Sequence, residues 1–235
     1  MSRGGSSGGR GGGTRRKTVR VKTARGRKPS STRWLQRQLN DPFVEEARKL
    51  GYRSRAAFKL EELNEKFGFL KPGSRILDLG AAPGGWTQIA VAAVGEKGTV
   101  VALDIQEVEP VPGAVHLLGD IYDEDVIDRL LAALGGPADV VMSDMAAPST
   151  GHAQTDHLRV MALIEAAYDV AQNLLAPGGV FVAKVLQGGT ERELLETLKR
   201  DFVKVSHAKP AASRAGSREM YLVAESFRRD TGDGG

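Results

Sequence analysis

The feature that most constrains the fold is the segment ILDLGAAPGGW at residues 76–86, where an apolar run passes into a glycine-rich turn. Residues 75–79 form a short apolar run interrupted only by Asp78, which is typical of a buried parallel strand. A helix-forming stretch at 86–94 follows the turn, and its first backbone amides and its dipole favour a polar ligand. The segment therefore predicts a strand, a tight turn and a helix that together hold a cofactor.

An acid at the end of a second strand and the spacing of the glycines indicate which cofactor binds. Residues 99–103 predict a strand that ends at Asp104, about where a doubly wound fold places a ribose-binding acid. Three residues separate Gly80 from Gly84 and Gly85, so the G-x-G-x-x-G spacing that lets a pyrophosphate approach the backbone is missing. A nucleoside without phosphates fits better, and S-adenosylmethionine is such a ligand. The alternative is that these glycines only make a tight turn.

The composition excludes several kinds of chemistry. The chain has no cysteine, which excludes disulfides, thiolate metal sites and cysteine nucleophiles, including the cysteine adduct used to methylate C5 of a pyrimidine. We expect no metal site, because His152 and His157 lack a ligand cluster around them. No apolar run approaches the roughly 18 residues of a membrane span, and the N-terminus has no apolar signal core. We therefore expect a cytoplasmic protein without membrane contacts.

Positive charge is concentrated at the N-terminus. The chain has a net charge of +4, but its first 40 residues hold 12 basic and no acidic side chains, which leaves −8 for the remainder. Residues 1–32 are rich in Gly, Ser and Arg, which predicts a disordered basic tail suited to an RNA backbone. A merely solubilising tail is the alternative. We expect one domain at 33–228, a disordered C-terminal tail at 229–235, and a monomer.

Strand-like and helix-like runs alternate after the glycine turn. The predicted strands lie at 99–103, 114–118, 139–143 and 179–185, and the predicted helices at 123–134, 156–175 and 191–202. This alternation predicts an α/β fold with a mostly parallel sheet and helices on both faces. The last two strands, 204–208 and 220–224, have no helix between them and are predicted to pair antiparallel at one edge of the seven-stranded sheet.

Ligands of such sheets bind beyond the carboxyl ends of the strands. The residues that follow the strands are therefore the predicted cofactor contacts, namely Gly80, Gly84, Gly85, Trp86, Asp104, Asp120, Ile121 and Asp144. Asp120 is expected to accept the adenine amino group while Ile121 packs on the ring. Trp86 has an alternative role as a core anchor for its helix.

A lysine in the fifth strand provides the candidate for catalysis. Lys184 lies in an apolar run, where a charged side chain is costly unless it is paired, and Asp144 at the end of the neighbouring strand is the natural partner. A purely structural salt bridge is the alternative. The pair falls at the crevice end of the sheet, and Lys59 and Glu219 offer a second lysine and a second acid, which favours catalysis.

The sequence resembles the FtsJ-type ribosomal RNA large-subunit 2′-O-methyltransferases. The segments that carry the resemblance are 53–60, 78–86, 142–146, 184–188 and 213–219, and it extends from about residue 31 to residue 224. It implies a Rossmann-like class I methyltransferase fold, S-adenosylmethionine as donor, and a uridine ribose in the A-loop of large-subunit (23S) rRNA as acceptor, within the large ribosomal subunit. It also implies a catalytic tetrad, which falls on Lys59, Asp144, Lys184 and Glu219.

Two positions depart from the family pattern. Ala147 and Pro148 stand where the family often has Pro-Asn, and Gly216 replaces a common arginine. The loop over the target therefore differs, and one phosphate contact is lost, for which we expect the basic N-terminal tail to compensate.

Methyl transfer from a sulfonium to a hydroxyl is an in-line displacement that needs the oxygen close to the methyl group and its proton removed. We expect Lys184 to take this proton, Asp144 to orient Lys184, Lys59 to position the ribose, and Glu219 to support them. A base methyltransferase is disfavoured because no aromatic clamp follows the fourth strand. A noncatalytic RNA-binding assembly factor and a 2′-O-methyltransferase acting on another RNA remain as alternatives.

Overall fold

The structure, a computed structural model, describes residues 32, 35–36, 38–148, 150–187, 192–214 and 216–228. The predicted tails at 1–32 and 229–235 lie outside these residues except for Thr32, so the predictions about them stay predictions. The chain divides into two compact units, Met1–Glu45 and Glu46–Gly235. The sheet and the candidate site lie in the second unit.

Seven strands and six helices make up the described fold from residue 42 onwards. The strands are β1 (Arg75–Leu79), β2 (Thr99–Asp104), β3 (Ala114–Leu118), β4 (Ala138–Ser143), β5 (Leu175–Leu186), β6 (Phe202–Ala208) and β7 (Glu219–Phe227). The helices are α1 (Pro42–Lys49), α2 (Ala56–Phe67), α3 (Gly85–Val94), α4 (Val126–Leu134), α5 (Ala153–Leu174) and α6 (Arg192–Asp201). Strands and helices alternate from β1 onwards, except that β2 leads to β3 and β6 to β7 without a helix.

The strand order is β3-β2-β1-β4-β5-β7-β6, and β1 to β5 pair in parallel. Strand β7 pairs antiparallel with both β5 and β6. This confirms the predicted mostly parallel sheet with an antiparallel hairpin at one edge. The chain winds outward from β1 to β3 and returns to form β4 beside β1, so the order reverses between β1 and β4, where doubly wound sheets bind their ligands.

Two hydrophobic clusters cover the two faces of the sheet. One contains Leu60 and Trp86 from helices α2 and α3, together with Ile76 of β1. The other contains Leu77 of β1 and buried residues of α4, α5 and α6, such as Leu198. Neighbouring residues of β1 belong to different clusters because successive side chains of a strand point to opposite faces. The prediction of helices on both faces is therefore confirmed.

Two helices begin at residues other than those predicted, because acidic side chains bind nearby backbone amides. Helix α4 begins at Val126 rather than at 123, since Asp123 lies in a turn and accepts the N–H of Asp120 at 2.9 Å. Helix α5 begins at Ala153 rather than at 156, and Asp156 in its first turn accepts the N–H of Thr150 at 2.6 Å.

Helix α2 has a recognisable signal at each end. It begins at Ala56, whose N–H donates to the Ser54 hydroxyl at 3.3 Å, and it ends at Gly68 in the left-handed conformation. Among the described residues, none of the helices combines the length and apolar character needed to cross a membrane.

Candidate active site

A cavity of about 330 Å³ opens at the carboxyl ends of β1 to β4. Five of the predicted cofactor residues line it: Gly80, Asp104, Asp120, Ile121 and Asp144. Ile105, Met145 and Leu163 add apolar wall that was not predicted. The volume and the mixture of apolar surface with a few carboxylates are typical of a site for a small organic ligand.

The turn after β1 requires glycine. Gly80 has a φ of +74°, a backbone conformation that residues with a side chain rarely adopt, and a Cβ there would lie 2.3 Å from Cγ of Met145. Its N–H donates to the carbonyl oxygen of Leu103 at 2.9 Å. The turn is therefore tied to the end of β2 and packed against the loop after β4, which together form one wall of the cavity.

The Asp104 carboxylate is fixed in a geometry that suits a ribose. Its Oδ2 accepts the N–H of Ala82 and its Oδ1 accepts the N–H of Gln106, each at 2.8 Å. Each carboxylate oxygen has a second lone pair, so both can also accept a hydroxyl proton from the cavity side. The structure therefore fits the predicted contact with two vicinal ribose hydroxyls.

The loop after β3 presents Asp120 and Ile121 to the same cavity. Asp120 Oδ1 accepts the N–H of Tyr122 at 3.1 Å, which leaves Oδ2 able to accept the amino group of a base. The guanidinium of Arg129 donates to the carbonyl oxygen of Leu118 at 2.7 Å and forms an ion pair with Asp123 at 3.6 Å. These contacts hold the loop against α4.

The other three predicted cofactor residues lie at the start of α3, and they are not among the side chains that line the cavity. Trp86 is 3% exposed, and its indole N–H donates to the carbonyl oxygen of Ala56 at 2.8 Å. Cβ atoms at Gly84 and Gly85 would meet Arg53 and Ser54. The side chain of Trp86 thus anchors α3 to α2, which was the alternative role. Gly85 and Trp86 can still offer a ligand their backbone amides, which lack intrahelical acceptors in a first helical turn. The N–H of Gly84 instead donates to the carbonyl oxygen of Ala81 at 2.6 Å.

Asp78 is a buried acid in β1, the strand that leads into the wall of this cavity. Its Oδ2 accepts the Thr87 hydroxyl at 2.7 Å, and its Oδ1 has no hydrogen-bond partner among the described residues. Burial raises the pKa of Asp78 to about 7; the hydrogen bond from Thr87 opposes this rise, and the charges of Asp144 and Asp104 add to it.

Two ion pairs lie beside the cavity, and they contain the four predicted catalytic residues. Lys184 Nζ donates to Asp144 Oδ1 at 3.1 Å and to its backbone carbonyl oxygen at 2.5 Å. Lys59 Nζ lies 2.6 Å from Glu219 Oε1. All four side chains are at most 20% exposed. Because Asp144 also lines the cavity, the first pair directly adjoins the candidate ligand site.

A tyrosine connects the two pairs. The hydroxyl of Tyr221 lies 2.7 Å from Asp144 Oδ1, 3.2 Å from Lys59 Nζ and 3.3 Å from Glu219 Oε1. Burial, followed by the charges of Asp144 and Glu219, raises the pKa of Tyr221 well above its usual value. Local sequence is equally compatible with a core role and with a crevice role for Tyr221. The available signal was its position two residues after Glu219 in a strand, which places both side chains on one face.

The site places the largely buried Lys184 beside a cavity of the size of a nucleoside. Both lie at one edge of a doubly wound sheet with the strand order β3-β2-β1-β4-β5-β7-β6. In the part of the chain that the structure describes, no group of three or more acidic, His or Cys side chains is arranged to hold a metal ion. Fold and site together define the class as a Rossmann-like methyltransferase.

The chain belongs to the FtsJ-like methyltransferase family, whose family model matches residues 52–227. It is 62% identical to the Ribosomal RNA large subunit methyltransferase E of Paramagnetospirillum magneticum, over 92% of this chain and 91% of the relative. It is 58% identical to the protein of the same name from Parvibaculum lavamentivorans, over 96% and 93% of the two chains. A crystal structure of a Plasmodium falciparum protein assigned as a ribosomal RNA methyltransferase has a TM-score of 0.68 at 31% identity, covering 75% of this chain and 98% of that one. The predicted family is confirmed.

Proposed function

We propose that this protein transfers the methyl group of S-adenosylmethionine to the 2′-hydroxyl of a uridine ribose in the A-loop of large-subunit (23S) rRNA, within the large ribosomal subunit. The observation that carries this proposal is the Lys184–Asp144 pair at the wall of the cavity, since it places a candidate base beside a candidate donor site. The relatives named Ribosomal RNA large subunit methyltransferase E support the choice of RNA. With the ribosome as its substrate, the protein acts in the cytoplasm, and we propose that it does so as a monomer.

The cavity residues divide the recognition of the cofactor among them. Asp104 accepts the ribose hydroxyls, Asp120 accepts the adenine amino group, and Ile121 packs on the ring. The first amides of α3, at Gly85 and Trp86, suit the carboxylate of the methionine part, because a helix N-terminus favours an anion. When bound, S-adenosylmethionine supplies an electrophilic methyl group on a sulfonium centre.

Lys184 removes the proton from the 2′-hydroxyl in this proposal. A neutral amine has two N–H bonds, and Asp144 offers two acceptors within reach, its Oδ1 and its backbone carbonyl oxygen. With both N–H bonds directed at Asp144, the lone pair is left for the incoming hydroxyl. The second ammonium of the cluster, on Lys59, is placed to hold the ribose.

The two alternatives predict different results from one transfer assay. The purified protein is incubated with methyl-tritiated S-adenosylmethionine and with undermethylated large subunits, free rRNA or small subunits, and the labelled nucleotide is then mapped. We expect label on large subunits, at the 2′-oxygen of one uridine in the A-loop. Label on another RNA would refute the proposed substrate. If none of the substrates is labelled, the result would favour a noncatalytic assembly factor.

A variant at the base tests the mechanism. Lys184→Ala is expected to abolish transfer while binding S-adenosylmethionine with nearly unchanged affinity in calorimetry, since Lys184 does not line the cavity. The exposed Lys97, in the turn before β2, provides the matched control, and Lys97→Ala should transfer normally. Robust activity of Lys184→Ala would overturn the assignment of the base.

A further inference from the structure

One buried hydroxyl connects the two ion pairs of the site. Tyr221 contacts Asp144 of the first pair, and both Lys59 and Glu219 of the second. These contacts are 2.7 to 3.3 Å long, which is within hydrogen-bonding distance. The two lysines therefore share one continuous hydrogen-bonded network.

The position of this hydroxyl is fixed by the sheet. Tyr221 lies in β7, where it pairs with Lys184 of β5 on one side and with Ala208 of β6 on the other. Its ring is fully buried and packs against Trp86 at 5.5 Å between ring centroids. A ring held on both sides by strands and covered by a tryptophan has no space to turn its hydroxyl away.

The direction of the hydrogen bonds follows from the proton inventory. Because the pKa of Tyr221 is raised by burial and by the nearby carboxylates, the hydroxyl keeps its single proton throughout the neutral range. The shortest contact is to Asp144, so that carboxylate receives the proton, while Lys59 donates to the hydroxyl oxygen. The chain of donors therefore runs from Lys59 through Tyr221 to Asp144.

We propose that Tyr221 is a positioning residue for methyl transfer, and this role rests on the proposed function. Its hydroxyl holds Oδ1 of Asp144 in the orientation that engages Lys184, and it shares the negative charge of that carboxylate. Without the hydroxyl, Asp144 loses this donor, and its full negative charge acts on Lys184. We therefore expect methyl transfer by a variant without the hydroxyl to need a higher pH.

A purely structural role for Tyr221 makes a different prediction, and a matched pair of variants separates the two. Tyr221→Phe removes the hydroxyl and keeps the ring. Tyr168→Phe is the control, because Tyr168 is also a buried tyrosine that donates to a carboxylate, that of Asp201, in the cluster on the opposite face of the sheet. Both variants lose a hydroxyl that donates to a carboxylate and accepts one N–H, but only the first loses it at the candidate base.

We expect Tyr221→Phe to lower kcat by about 10- to 100-fold, the usual effect of losing a hydrogen bond to a charged group. The KM for S-adenosylmethionine should stay unchanged, because Tyr221 is not among the residues that line the cavity. The ascending limb of the kcat–pH profile should move to higher pH. Tyr168→Phe should keep the wild-type kcat and profile while unfolding at a lower temperature.

Three outcomes contradict the proposal: a kcat for Tyr221→Phe within about twofold of wild type, a fall that Tyr168→Phe reproduces, or a fall without any shift of the pH profile. Tyr221→Leu, which also lacks the hydroxyl, should show the same shift and secures the test if the phenylalanine variant folds poorly. If the wild type itself transfers no methyl group, the proposed function fails as well. If the wild type is active and Tyr221→Phe equals it, only the role of Tyr221 fails.

Discussion

Replacing Asp78 by asparagine is expected to stabilise the protein above pH 7 and to leave it nearly unchanged near pH 4. The side chain is 1% exposed, and its Oδ1 lacks a hydrogen-bond partner among the described residues. Burial is the main cause that raises its pKa from 3.8 to about 7, and the charges of Asp144 and Asp104 add to it. Ionising this acid in place is therefore costly.

The sign of the effect follows from proton linkage. Between pH 4 and pH 7 the folded protein keeps a proton on Asp78 that the unfolded chain has lost, so stability falls as the pH rises through this window and is level above it. A difference of about 3 pKa units at about 1.4 kcal/mol per unit gives about 4 kcal/mol as an upper limit. Asparagine is neutral at every pH, and its amide oxygen can still accept the Thr87 hydroxyl, so the variant escapes this loss.

The assay is urea unfolding of the wild type and of Asp78→Asn at several pH values between about 5 and 8.5. The difference between the unfolding free energies of the two proteins then reports the contribution of the Asp78 carboxyl. The difference should grow from a small value at the acidic end to a plateau above pH 7. Asp169→Asn, at an exposed position of α5, should show a flat difference. A difference for Asp78→Asn that does not change with pH, or that is largest at acidic pH, would contradict a raised pKa of the Asp78 carboxyl.

Two further changes test the cavity and the basic tail. Gly80→Ala places a Cβ on a backbone with a φ of +74° and only 2.3 Å from Cγ of Met145, so it should distort the wall of the cavity. Calorimetry should then show an affinity for S-adenosylmethionine that is at least about 10-fold weaker. Gly73→Ala is the control, because Gly73 has a similar φ of +81° but open space around it, and this variant should bind normally. Deleting residues 1–28 should weaken binding to the RNA substrate and flatten its salt dependence without changing turnover at saturation, because ten basic side chains are removed. An unchanged salt slope would contradict a role of the tail in RNA binding.

The parts of the site that the sequence predicted are those that follow the end of a strand. The bounds of β1 and β3 agree with their predictions, and Asp104, Asp120 and Asp144 reach one cavity because the carboxyl ends of parallel strands meet at one edge. These inferences need only local patterns and a general rule of topology.

What the sequence did not predict depends on contacts between distant residues. The predicted start of α4 at residue 123 was wrong, because the Asp123 carboxylate accepts the backbone N–H of Asp120 in the preceding loop. An acid that suits the start of a helix therefore stabilises a turn instead. The indole N–H of Trp86 donates to Ala56 of α2, 30 residues away, a contact that local sequence does not show. The predicted contact of Trp86 with the cofactor stays a prediction. The linking role of Tyr221 needed the register of β7, and local sequence does not supply that register.

The antiparallel direction of β7 explains how Glu219 joins the site at all. Glu219 is the first residue of its strand, and the first residue of a parallel strand would lie at the far edge of the sheet from the cavity. Because β7 runs antiparallel to β5, its first residue pairs instead with Leu186 at the carboxyl end of β5. Tyr221, two residues later on the same face, then pairs with Lys184. One reversed strand therefore brings the second acid and the connecting hydroxyl to the lysine that Asp144 already holds.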